Sequence, residues 1–123
     1  MDAESTVRAF CEAAGRCDVE AMLAFFTDDA VYHNIPIQPV EGKEAIAATL
    51  AQFLGPATTE CEFEIVAIAS AGGTVLTERV DRFVIGGKQI ALPVMGTFEI
   101  DDQGKIQAWR DYFDMQQVVS QMS

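Results

Sequence analysis

Two turn signals divide the second half of the chain and restrict its fold more than any other feature. Gly86-Gly87 is the glycine pair of a tight hairpin, and Asp101-Asp102-Gln103-Gly104 marks a second turn. Between them Ile90, Leu92, Val94, Phe98 and Ile100 fall on one side of a strand, the pattern of a sheet with one buried face. A hairpin closed at Ile85 and Lys88 sets Asp81 opposite Leu92 and Arg79 opposite Val94. Opposed residues share a face, so Arg79 and Asp81 are expected to point into the apolar interior. Closing the second turn with Ile100 opposite Lys105 sets Asp111 opposite Val94 and Trp109 over Gly96. Arg79, Val94 and Asp111 then form one row, with roughly 9–10 Å between the outer backbones, a gap that two inward-leaning side chains bridge. A slip of one residue would turn every one of these side chains to the other face.

The inferred centre is therefore Arg79 between Asp81 and Asp111 in an apolar cup. A lone buried Arg–Asp pair is most often structural. Two carboxyls sharing one guanidinium differ, because buried carboxyls that close cannot both ionise cheaply and their proton affinities separate. One becomes an acid and the other stays a base, which is how a site holds both near neutral pH.

Upstream, the period changes. Ser5 to Ala14 reads as a helix with Ser5 as its cap and Gly15 as its end, and Asp18 caps a second helix containing Val19, Met22, Leu23 and Phe26. Thr27-Asp28-Asp29 reads as a turn. Ala30 to Ile35 reads as a short strand stopped by Pro36, with Tyr32 and Asn34 on one face and His33 on the other. Pro36 to Pro39 is a stiff loop, and Lys43 to Leu54 a third helix. From Thr59 the chain is β, Glu60, Glu62 and Glu64 alternating with Cys61, Phe63 and Ile65. A last short helix begins at Asp114. The expected fold is α+β: a strongly curved sheet wrapped round the N-terminal helices. Arg79, Asp81 and Asp111 point into its conical pocket, with Phe83, Leu92, Val94 and Phe113 as apolar walls.

Composition narrows the function. The 123 residues make one domain, and 50% hydrophobic content excludes disorder. A net charge of −11 argues against nucleic acid and anionic membranes as partners. The single histidine, His33, argues against a zinc site and a Ser-His-Asp triad. Cys11, Cys17 and Cys61 lack a C-x-x-C spacing and read as reduced thiols of a reducing compartment. With no secretory signal or transmembrane run, the expected location is the cytoplasm.

Val31-Tyr32-His33-Asn34-Ile35-Pro36, Thr77-Glu78-Arg79-Val80-Asp81 and Trp109-Arg110-Asp111-Tyr112-Phe113-Asp114 together resemble the limonene-1,2-epoxide hydrolase family, in order and spacing, from about Phe25 to Asp114. The resemblance implies a nuclear-transport-factor-like cone with a mixed sheet of six strands, a homodimer, no cofactor, and hydration of an epoxide to a vicinal diol. It implies Asp111 as general base, Tyr32 and Asn34 as the groups that hold the water, Asp81 as general acid and Arg79 as the bridge. By residue type alone, Tyr32 is a core tyrosine and Asn34 a strand-end cap. Pro93 within a strand and a 101–104 turn about a residue longer depart from the family and bear on substrate preference. An isomerase or polyketide cyclase on the same fold, and a non-catalytic binding module, are the competing readings. The apolar walls fit a neutral, mostly hydrocarbon substrate, terpene-like or cyclic.

Overall fold

A computed structural model describes residues 2–123. Helix α1 (Ala3–Gly15) starts two residues earlier than expected, because Asp2 and not Ser5 is its cap: the Asp2 carboxylate accepts the Ser5 amide at 2.8 Å. Asp18 caps α2 (Val19–Leu23), accepting the Ala21 amide at 3.0 Å. There follow β1 (Phe26–Asn34), β2 (Val40–Glu41), α3 (Lys43–Phe53), β3 (Thr58–Ala71), β4 (Thr74–Ile85), β5 (Lys88–Ile100), β6 (Ile106–Tyr112) and α4 (Met115–Met122). The expected turn at Thr27-Asp28-Asp29 lies inside β1. That strand pairs with β6 at Phe26 and again from Val31, and the three polar residues fill the irregular stretch between.

The six strands form one sheet in the order β2-β1-β6-β5-β4-β3. Only the β1–β6 pair is parallel, so the sheet is mixed. It is curved and does not close. Phe10 on α1 sits at the centre of the core, with the Phe25, Phe26, Phe98 and Trp109 rings at 5.0–5.9 Å, all meeting it edge to face.

The first hairpin has the predicted register, with Ile85 opposite Lys88, Asp81 opposite Leu92 and Arg79 opposite Val94. Gly86 and Gly87 take φ of 58° and 81°, the left-handed backbone that a two-residue turn demands. The second hairpin differs. Ile100 pairs with Ile106, not Lys105, and β6 then slips by one more residue between Ile106 and Ala108. The two slips add up to two residues, so parity survives while partners change. Asp111 lies opposite Gly96 instead of Val94, and Trp109 opposite Phe98 instead of Gly96. Part of the cause is the turn, where the Asp101 carboxylate accepts the Gln103 and Lys105 amides at 2.9 Å and holds Lys105 in the loop.

The cysteines also depart from expectation. Cys17 and Cys61 are joined in a disulfide, and only Cys11 is free and buried, its thiol pushed up to about 12 by that burial. Cys17 follows α1 in a left-handed turn (φ 55°), and α1 packs on β3, which carries Cys61. The two lie 44 residues apart, so the pairing exists only in the tertiary fold. Closing a loop that long stabilises the chain by about 4 kcal/mol in the chain-entropy account. The cysteines therefore give no support to a reducing compartment. No helix among the described residues is long and apolar enough to cross a membrane.

Candidate active site

Alternation along β4 turns Thr77, Arg79, Asp81 and Phe83 inward, and all four are buried. Arg79 is 1% exposed and carries five N–H groups that must be satisfied there. Each has an acceptor. Nε donates to Asp81 Oδ1 at 3.0 Å, and Nη2 to Asp81 Oδ2 and Asp111 Oδ2, both at 2.8 Å. Nη1 donates to Asp111 Oδ1 and to Thr77 Oγ1, both at 3.2 Å. The Thr77 hydroxyl in turn donates to the Gly96 carbonyl at 3.1 Å. The Phe63 and Phe98 rings lie 5.2 and 5.8 Å from the guanidinium carbon, close enough for cation–π attraction.

The register of β5 and β6 explains how the two aspartates meet on one arginine. Gly96 lies between Thr77 and Asp111 in the row across the sheet. A Cβ there would fall 2.3 Å from Arg79 Nη1 and 2.5 Å from Asp111 Oδ1, so the ion pair occupies the space a side chain would need. The parallel pairing of β1 with β6 sets Tyr32 beside Trp109 and Asn34 beside Asp111. Tyr32 stacks on Trp109 at 4.1 Å between ring centres, and Trp109 Nε1 donates to Asp111 Oδ1 at 2.7 Å.

Burial pushes the Asp81 carboxyl above its ordinary range, against the pull of Arg79, and Asp111 adds to the push. Burial opposes the charge on Arg79, yet Asp111 and Asp81 hold it protonated well above its usual range. Burial and the Asp111 charge raise the Tyr32 phenol, which keeps its proton and can donate it in a hydrogen bond.

A narrow cavity opens over this cluster. Its volume is about 30 Å³. Four polar residues line it: Tyr32, Asn34, Asp81 and Asp111. Phe83, Leu92, Val94 and Phe113, the expected walls, line it too, so every site residue expected from sequence except Arg79 faces the cavity, and Arg79 lies directly behind. His33 stays out, with Nε2 3.0 Å from the Ile37 carbonyl. Sequence reasoning missed the wall that α3 and β3 supply, made of Leu50, Phe53, Leu54 and Phe63. It also missed Thr77, Gly96 and Trp109 as parts of the cluster, although the i, i+2 spacing of Thr77 with Arg79 and of Trp109 with Asp111 was a usable signal. Among the described residues no group of three or more His, Cys, Asp or Glu side chains is placed to hold a metal ion.

A family model described as the limonene-1,2-epoxide hydrolase catalytic domain matches residues 1–123. Epoxide hydrolase EphG of Mycobacterium tuberculosis (strain ATCC 25618 / H37Rv) is 38% identical over 109 residues, which span 89% of this chain and 71% of that protein. The structure of an M. tuberculosis LEH-like epoxide hydrolase superposes with a TM-score of 0.83 at 34% identity, over 97% of this chain and 87% of that one. A Xanthomonas campestris pv. campestris protein provisionally described as a polyketide cyclase superposes with a TM-score of 0.85 at 26% identity, over 98% and 96% of the two chains.

Proposed function

The chain belongs to the limonene-1,2-epoxide hydrolase family, and on that premise we propose that it adds water to a neutral, apolar epoxide, cyclic or terpene-like, to give a vicinal diol without a cofactor. Asp111, with Tyr32 and Asn34, holds the attacking water and takes its proton. The hydroxide oxygen bonds to an epoxide carbon as that carbon's bond to the ring oxygen breaks. Asp81 gives its proton to the departing oxygen. Return of one proton from Asp111 to Asp81 resets the site.

One observation carries this reading: a single guanidinium, 1% exposed, is shared by two carboxyls that are 4% and 3% exposed. With one proton between the carboxyls the buried trio has no net charge, and passing a proton from water to base and from acid to product keeps it so. The apolar wall supports a hydrocarbon substrate, because a charged one would lose its hydration on entry. The test is diol formation from a panel of cyclic and terpene epoxides. The wild type should convert at least one, and Asp111→Asn should do so at least about a hundredfold more slowly. A wild type inert on the whole panel would overturn the reading.

The cyclase-like neighbour keeps one competitor in view. An acid–base pair in a cone can also move a proton within a ketone, and turnover of an enolisable ketone without uptake of water would favour that reading. From family membership we also propose a homodimer. The outward-facing Leu76, Met95 and Tyr112 are 48%, 53% and 49% exposed and offer an apolar surface for a second copy. A monomeric mass by light scattering would contradict it.

A further inference from the structure

We propose that Trp109 is a positioning residue that sets the geometry of the water-activating groups, fixing Asp111 through its indole N–H and Tyr32 through its ring face. The proposal rests on the reading of Asp111 and Tyr32 as the groups that handle water.

Trp109 is 1% exposed and does not line the cavity, so it stands behind the residues that do. Its ring is clamped. Tyr32 lies parallel on one side at 4.1 Å and 10°, Phe98 stacks at 5.6 Å and 13°, and Phe10 meets it edge-on at 5.0 Å. A ring held this way aims its single N–H in one direction, and that direction is Asp111 Oδ1 at 2.7 Å, the shortest of the hydrogen bonds to this carboxylate.

The consequence is selection of one oxygen. A carboxylate oxygen accepts in two directions. Oδ1 has both filled, by Trp109 Nε1 and Arg79 Nη1, while Oδ2 has one filled by Arg79 Nη2. One acceptor position on Oδ2 is left for the water proton. Without the indole N–H, Oδ1 regains an open position and water has a second place to bind. The same indole sets where the Tyr32 ring lies, so one side chain ties the base to one of the groups that steady its water. A tryptophan that merely filled the core would serve equally well without its N–H.

The chain has one tryptophan, so replacing tryptophan throughout the protein by 3-benzothienylalanine, in a host that cannot make tryptophan, alters this site alone. The analogue keeps the bicyclic shape and lacks the N–H. The expected result is kcat for epoxide hydration about ten- to a hundredfold lower, the scale of a misplaced reacting group, with KM within about twofold because the cavity wall is untouched. Its crystal structure should show the Asp111 carboxylate turned from the orientation it has beside the indole. Unchanged kcat with an unmoved carboxylate would overturn the proposal, as would a rise in KM with no change in kcat. If the wild type hydrates no epoxide, the proposed function fails instead, and the orientation of the carboxylate alone decides the positioning role.

Discussion

Replacing Gly96 with alanine adds one methyl group at the most crowded point of the polar cluster. The new Cβ would stand 2.3 Å from Arg79 Nη1, 2.5 Å from Asp111 Oδ1 and 3.2 Å from Thr77 Oγ1, where ordinary contact begins at 3.4 Å. Arg79 and Asp111 must each retreat by about 1 Å, which the flanking Phe63 and Phe98 rings resist. The two Nη1 bonds, already 3.2 Å long, then stretch beyond hydrogen-bonding reach. Disrupting a buried ion pair in this way costs about 3–5 kcal/mol. For a domain of this size each kcal/mol lowers the melting temperature by about 3–5 °C, so Gly96→Ala should melt about 10–20 °C below the wild type. Thermal unfolding by circular dichroism measures the shift, with Thr97→Ala on the outer face as a control expected within about 0.5 kcal/mol. Diol formation should fall about a hundredfold, since a 1 Å displacement near the chemistry has that effect. A Gly96→Ala protein less than about 1 kcal/mol destabilised and still active would show that the arginine and aspartate do not meet above Gly96.

Asp81→Asn and Asp111→Asn should each lower diol formation by about 10²–10⁴-fold in a folded protein, and the double variant should be little worse, which steady-state rates will show. Arg79→Lys should recover little of the stability and activity lost in Arg79→Ala, because an ammonium cannot offer the planar fork that reaches two carboxyls; equal melting temperatures for wild type and Lys variant would contradict the bridge. The folded Asp81 carboxyl binds its proton above the ordinary value of 3.8. Above pH 3.8, therefore, the folded chain holds a proton that the unfolded chain releases, and this group's contribution to stability falls as pH rises to the folded value. Asp81→Asn cannot titrate, so its melting temperature should gain on that of the wild type as pH climbs from about 4; a constant difference would refute the shift.

How far the fold and the site could be read from sequence depended on local constraint. Gly86-Gly87 admits one tight turn, and the pairing of Arg79 and Asp81 with β5 followed from it without error. The 101–104 turn is looser. Its length and the later slip in β6 moved Asp111 by two residues, yet its inward direction survived because side-chain parity repeats every two. The meeting of Asp111 with Arg79 was therefore legible, while its true neighbour, Gly96, was not. Tyr32 and Asn34 were assigned to one face by alternation, but their place beside Trp109 and Asp111 needed the parallel pairing of β1 and β6, a contact across most of the chain. The same holds for the Cys17–Cys61 bond and for the wall that α3 adds to the cavity. β2 has two residues and leaves no periodic trace.

Direct attack by water leaves no ester between substrate and carboxylate at any stage of the reaction. A single turnover in ¹⁸O-labelled water, with enzyme in excess of epoxide, distinguishes direct attack from an ester intermediate. If Asp111 activates the water while Asp81 protonates the opening ring, the label appears in the diol and none in the protein. An unlabelled added oxygen in the diol, with ¹⁸O recovered in the Asp111 or Asp81 carboxyl, would mean that a carboxylate attacked first and would rule out direct attack by water.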